Sequence, residues 1–351
     1  MTNLRPLFVT TLLFVLFPSA GADPISVVAV GDIMMGSDYP RTMLPPNQGD
    51  DLYRKVTEYL RSADLTVGNL EGVLLDGGVC AKKTNKGRVY AFRMPPPFAQ
   101  HLVDAGFDFL NLANNHLNDF GAHGVESTEK TLTDYGIAFG GPAGKIGKFE
   151  IRGKNIAIAC FATSPGTDLI FDIVAAQSKV AGLARQHDIV IVSFHGGGEG
   201  LKYLHTYDTF EYFLDQPRGN VVEFSRAVVD SGADFVWGHG PHVPRAMEIY
   251  KDRLIAYSLG NFCTWGFNVA QERGYAPILM VLLDSDGTFM GGEIFSMVQQ
   301  PPQPLMVDSL HRAARLIARL SMEDFSEAAP LIAPEGSVFR SISMPVRTIN
   351  P

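Results

Sequence analysis

The sequence predicts a mixed α/β sandwich whose strands deliver polar side chains to one common edge. Three observations predict it. Short continuous apolar runs rich in β-branched residues recur along the chain, as expected of strands buried on both faces. They alternate with helix-like segments in the first half and pair around turn residues in the second. The main runs also end beside Asp, Asn, Glu or His, and in an open α/β sheet the carboxyl ends of the strands form the ligand crevice. With 351 residues the chain can build one large domain or two ordinary ones.

Residues 25–30 form an apolar run that stops at Gly31 and Asp32, a buried strand with a carboxylate at its end. Helical spacing over 51–60 precedes a second strand, 64–67, which runs into Gly68, Asn69, Leu70, Glu71 and Gly72. Residues 74–97 lack a period and read as a surface excursion carrying Arg93. A helix at 98–105 leads to a strand at 107–112 and then to Asn114, Asn115, His116 and Asp119. The helix at 125–135 is closed by Gly136. Runs 149–151 and 156–161 make a hairpin around Gly153, and a helix at 173–186 precedes a strand at 188–194 that ends at His195 and Glu199. Residues 201–218 are aromatic and irregular, a lid or an edge. A helix at 221–229 leads into the strand 233–237, which delivers His239 and His242 into a Gly-Pro turn. Hairpins follow at 247–250 with 254–259 and at 278–283 with 294–298, then a helix at 310–320 and a loose tail from 328.

A net charge of −8 with no Lys/Arg run argues against nucleic acid and anionic membrane surfaces as partners. Residues 1–22 read as a secretory signal: Arg5, a short apolar stretch, and Ala20-Gly21-Ala22 as the cleavage site. Cleavage near Ala22 gives a secreted or periplasmic protein; retention of the segment gives a membrane-anchored one. No later segment is long and apolar enough to span a bilayer. Three scattered cysteines, Cys80, Cys160 and Cys263, make neither a disulfide framework nor a thiolate site, and leave open whether one bridge forms. A Gly-x-Ser-x-Gly elbow is missing, and neither glycine-rich stretch has the spacing of a nucleotide loop.

Successive strand ends thus offer Asp32, Asn69 with Glu71, Asn115 with His116, His195 with Glu199, and His239 with His242. Carboxylate, amide oxygen and imidazole together suit manganese, zinc or iron. A cation there would bring water toward its ionised form and stabilise charge on the attacked phosphoryl or carbonyl oxygens. His116, with Asp119 nearby to hold it, is a candidate to protonate a departing oxygen, and Arg93 is either a bidentate partner of a substrate phosphate or carboxylate or a solvated loop cation. Glu199 is either a partner of an imidazole or a substrate contact; the remaining histidines carry no such signal.

The ordered set from Gly31-Asp32-Ile33-Met34-Met35 and Gly68-Asn69-Leu70-Glu71-Gly72 through Asn111 to His116, His195 to Glu199, Gly238 to His242 and Tyr257-Ser258-Leu259-Gly260-Asn261-Phe262 resembles the CapA/PgsA capsule-synthesis (poly-γ-glutamate biosynthesis) family. That family is similar to the calcineurin-like metallophosphoesterases. The resemblance implies a four-layer α/β/β/α fold with mixed sheets over 23–300, a C-terminal helix and tail over 301–351, and a centre of one or two divalent ions at one sheet edge. It implies Asp32, Glu71 or Asn69, Asn115, His195, His239 and His242 as ligands, His116 as the leaving-group histidine, and Asn114 and Asn261 as supporting residues. It points to a phosphoester or acidic-polymer substrate and to capsule-assembly proteins as partners. The chain departs from the metallophosphoesterase pattern at Met34, at Asn69 and in the two-residue gap between His239 and His242. Those departures leave a non-catalytic accessory role open beside the hydrolase.

Overall fold

A computed structural model describes residues 23–82 and 90–340. The expected signal, part of the surface excursion and the end of the tail lie outside the described residues.

Strands β1 (Ile25–Met34), β2 (Leu65–Leu70), β3 (Phe109–Asn111) and β4 (Ala138–Gly140) pair in parallel in that order. The chain then builds a second sheet from β5 (Gly147–Ile151), β6 (Lys154–Ala162), β7 (Ile189–His195), β8 (Phe235–His239), β9 (Met247–Tyr250) and β10 (Arg253–Ala256). Its order is β9-β10-β8-β7-β6-β5, with β6, β7, β8 and β10 mutually parallel. The chain returns to the first sheet through β11 (Asn261–Thr264), parallel to the carboxyl half of β1. Strand β12 (Tyr275–Leu283) pairs antiparallel with the amino half of β1, and β13 (Phe289–Val298) and β14 (Ser337–Phe339) extend the sheet.

Two-residue alternation sorts the strands into layers. Val27 and Ala29 of β1 pack with Val67, Phe109, Ile158, Ile191 and Trp237 in a core between the sheets. Val28 and Val30 belong instead to an outer core with Leu102 of α1 (Ala99–Ala105) and Leu132 of α2 (Gly121–Asp134). Beyond the second sheet, Phe161, Val192 and Val236 meet Val180 of α3 (Ile173–Ala184) and Val222 and Phe224 of α4 (Val221–Asp230). The result is the four-layer α/β/β/α sandwich with mixed sheets that the resemblance implied. Helix α5 (Arg312–Phe325) inserts Ala314 and Ile317 into the central core, so it packs on residues of the preceding segment.

Three local expectations differ. Only Thr57–Leu60 of the 51–60 segment is helical; the rest turns through i→i+3 backbone bonds such as Leu52 to Gly49 and Val56 to Tyr53. Leu52, Tyr53, Val56 and Leu60 are buried on the outer face, a burial that these turns achieve without a continuous helix. The tail is ordered through Phe339 because Ile332 and Val338 bury in the inter-sheet core while their strands pair. The 254–259 strand ends at Ala256. Its hairpin to β9 turns through Lys251 (φ 47°) and Asp252 (φ 64°), the left-handed pair that a two-residue type I′ turn requires.

Candidate metal centre

Register builds the site. Across the first sheet Asp32 lies opposite Asn69 on β2 and opposite Asn261 on β11, and Asn69 lies opposite Asn111 on β3. Across the second, His195 of β7 lies opposite His239 of β8. Two rows of polar groups therefore end both sheets at one edge. The approach is close: a Cβ on Gly31 would collide with the Gly260 carbonyl, which accepts a 2.8 Å hydrogen bond from the Asp32 amide. Gly240 (φ 110°) folds back over the His195 ring, and His242 itself sits at φ 59°. A left-handed backbone at a non-glycine residue is costly, and here it carries the ring that faces Asp32 and Glu71.

Asp32, Glu71 and His116 from the first sheet meet His195, His239 and His242 from the second, and all but His242 are buried. His242 Nδ1 is 3.0 Å from Asp32 Oδ2 and 3.0 Å from Asn261 Oδ1. Glu71 Oε1 is 3.7 Å from His116 Nε2, 4.0 Å from His195 Nε2 and 3.7 Å from His242 Nε2. His239 Nδ1 lies 3.8 Å from Asp32 Oδ1 and 3.0 Å from His195 Nδ1, while its Nε2 faces Ser193 Oγ and Asn111 Nδ2 at 2.9 Å each. Asp119 Oδ2 holds His116 Nδ1 at 2.7 Å, Phe92 packs on that ring, and Asn114 Oδ1 accepts the His116 amide.

Two expected residues stand differently. Asn69 donates through Nδ2 to Asp32 Oδ1 (2.8 Å), and its own oxygen accepts from Asn111 and Asn114 at 3.1 Å each. With both lone pairs taken in this arrangement, Asn69 orients Asp32. Arg93 is committed outside the centre: Nε contacts Asp38 Oδ1 at 2.6 Å, Nη1 donates to the Gly77 and Gly78 carbonyls, and the guanidinium lies over Tyr39 and Phe120. Among the described residues the cations at the centre are Lys82, 3.0 Å from Asp119 Oδ1 and 3.3 Å from His116 Nδ1, and Arg218, 2.7 Å from Glu199 Oε1. Glu199 Oε2 is 3.9 Å from His242 Nε2. Sequence reasoning passed over Asn111, Ser193, Lys82 and Arg218. Asn111 and Ser193 carried a signal as polar residues within buried strands; Lys82 and Arg218 lie in segments with no period to place them.

Electrostatics and satisfaction agree on what the pocket takes. Burial pushes the Glu71 carboxyl up to about 8, reinforced by Asp32 and Glu199 despite the His242 charge. Burial also disfavours the His242 cation, yet Glu71 and Asp32 raise it to about 10. Burial lowers His239 to about 4 and lowers His195 and His116 as well. Both Glu71 carboxylate oxygens, Asn115 Oδ1 and His195 Nε2 are buried without a hydrogen-bond partner among the described residues. A buried acceptor left unpaired costs free energy, so this set fits a divalent cation held by oxygen and nitrogen donors. Asp32, His195 and His239 form one group of ligand atoms within 4.8 Å of one another, and Asp32, Glu71 and His242 form a second.

The chain is 30% identical over 249 residues to the capsule biosynthesis protein CapA of Bacillus anthracis, covering 68% of this chain and 60% of the relative. It is 30% identical over 259 residues to the PGA biosynthesis protein CapA of Bacillus subtilis, covering 68% and 63%. The alignments thus leave more than a third of both relatives unmatched. A probable polyglutamine synthesis accessory protein of Mycobacterium tuberculosis is 25% identical over 300 residues, covering 68% and 74%. Among solved structures, a hypothetical protein from Thermus thermophilus superposes with a TM-score of 0.49 at 15% identity, covering 79% of this chain and 100% of that one. A 5'-nucleotidase precursor from the same organism gives 0.45 at 12%, covering 86% and 59%. Residues 26–264 match the model of the bacterial capsule synthesis protein PGA_cap, and the chain belongs to that family.

Proposed function

We propose that this chain is a hydrolase of the metallophosphatase type, dependent on a divalent cation and acting on a phosphoester or on a bond in an acidic polymer during capsule or poly-γ-glutamate synthesis. The observation that carries the reading is the convergence of Asp32, Glu71, His195, His239 and His242, with buried acceptors that no hydrogen bond among the described residues satisfies. These residues, with Asn115, would hold one or two ions of manganese, zinc or iron. Such an ion supplies Lewis-acid charge for hydrolysis when bound. The chain's own residues do the rest. Asp119 fixes His116 through Nδ1, so Nε2 is the atom that carries a proton to the departing oxygen. Asn261 and Asn69 fix His242 and Asp32, and Phe92 shields the His116 ring from water.

A second reading is favoured by one observation. Asn69 stands where metallophosphoesterases keep a carboxylate, and its oxygen is already bonded, which suits a polymer-binding accessory protein of capsule assembly. One experiment separates the two: cation content and phosphatase activity with added manganese for the parent, Asp32→Ala and His242→Ala. The hydrolase reading expects stoichiometric cation and activity in the parent, with both lost on the order of a hundredfold or more in each variant. Folded, cation-free parent protein that binds acidic polymer as well as either variant would sink it. Removal of residues 1–22 on export places the protein outside the cytoplasm, and the N-terminal sequence of the exported protein tests that. Among the described residues no helix is long and apolar enough to cross a membrane.

A further inference from the structure

Two buried arginines clamp the loop that follows His195, and their environments differ. Arg245 is committed through both terminal nitrogens and leaves only Nε unpaired among the described residues: Nη1 and Nη2 each donate to Glu211 at 2.8 Å, and Nη2 also donates to the Gly198 carbonyl at 3.0 Å. Arg218 comes from the edge strand Gln216–Gly219 and is 1% exposed. Its Nε donates to the Gly197 carbonyl at 2.9 Å, and its own carbonyl accepts from the Gly197 amide at 2.8 Å. Its Nη2 is ion-paired with Glu199 Oε1 at 2.7 Å but out of line for a hydrogen bond, and it makes no hydrogen bond among the described residues. The guanidinium is close enough to the centre for its charge to act on Glu71 and His195. Glu199 lies between it and His242 and has the more exposed side chain of the pair, at 19% against 2%.

We propose that Arg218 is the anion-binding residue of this site and that Glu199 is a carboxylate occupying its place until substrate arrives. A buried guanidinium with an unspent donor, beside a cluster of imidazoles, is built for a tetrahedral or planar oxyanion: a phosphoryl group or a carboxylate. Glu199 already sits there as a carboxylate, in poor geometry and partly open to solvent. An anionic substrate group displaces it, takes the Nη2 donor, and leaves its scissile bond facing His116 and the candidate ligands. No bond is made or broken in this exchange. The proposal rests on the hydrolase reading for its purpose, although anion binding is measurable without turnover.

The test is calorimetric titration of inorganic phosphate into manganese-supplemented parent, Arg218→Gln, Arg218→Lys and Glu199→Gln, with cation content and melting temperature recorded for each. Loss of the guanidinium is expected to weaken phosphate binding on the order of tenfold, with Lys intermediate. Glu199→Gln is expected to tighten it several-fold, because the resident carboxylate no longer competes. A purely structural clamp gives lower melting temperatures at unchanged phosphate affinity, which overturns the proposal. So does unchanged or weaker binding in Glu199→Gln, or no saturable binding in either the parent or Glu199→Gln; this arm stands even if the arginine variants fail to fold. Failure of the cation centre would show separately, as absent manganese in the parent.

Discussion

Asn69 shows how one atom changes what a position does. Its amide nitrogen hydrogen-bonds Asp32 while its oxygen is held by two other amides, so the row from Asn261 to Asn111 is a positioning lattice around a single carboxylate. Asn69→Asp keeps the shape and removes the donor, setting a second buried carboxylate against Asp32. In chelator this variant is expected to lose on the order of 3 kcal/mol, and to regain more stability than the parent does when manganese is added. Thermal unfolding with and without chelator checks it; equal melting in chelator would show that the Asn69–Asp32 bond carries little weight. The ligand-type residues were legible in sequence because each follows an apolar run, and a strand end is a place that sequence can locate. What Asn69 does was not legible, since an amide at a strand end reads equally as ligand or as support until its partners are seen. The same limit misplaced Arg93: a lone cation in an aperiodic segment has no register to aim it, and it found Asp38.

Strands β7 and β8 are held at their amino ends by one side chain. Asp234 and Val190 exchange hydrogen bonds, amide to carbonyl at 2.7 Å and amide to carboxylate at 2.8 Å, and Arg253 Nε lies 3.0 Å from the other carboxylate oxygen. Burial nonetheless raises the Asp234 carboxyl to about 6 from the ordinary 3.8, against the pull of the Val190 amide and Arg253. A folded value above the unfolded one means that the fold prefers the protonated form. The contribution is therefore fully present below the unfolded value and is lost as pH rises through about 6. Between pH 4 and pH 7.5 the parent should lose on the order of 2 to 3 kcal/mol relative to Asp234→Asn, read from urea unfolding across that range. A stability difference that does not change with pH would show that Arg253 compensates the buried charge. Elements of this kind, continuous apolar runs bounded by Gly or His, were the most legible part of the fold. The 51–60 turn and the paired tail were less so, because there the burial of a few side chains, rather than local propensity, decides the backbone.

The candidate centre draws ligands from both sheets, and the two sheets are joined by the core that contains Val67, Phe109, Ile158 and Trp237. Cation binding there would be coupled to folding through the whole molecule: a cation bound to the native arrangement, and not to the unfolded chain, would stabilise the sandwich. At a hundredfold excess over its dissociation constant the gain is about 2.7 kcal/mol. Substitution at the core and at the edge should separate these contributions. Phe109→Ala removes a buried ring between the sheets and is expected to cost about 3–5 kcal/mol, while the manganese-dependent increment persists because the strand ends keep their register. Asp32→Ala is expected to lose the increment itself, since both ligand groups contain Asp32. Urea unfolding of parent and both variants, each with manganese and with chelator, gives the increments to be compared. An increment that survives in Asp32→Ala would place the cation somewhere other than this edge. An increment lost in Phe109→Ala would mean that the inter-sheet core, beyond holding the sheets together, sets the spacing at which His195, His239 and Asp32 meet.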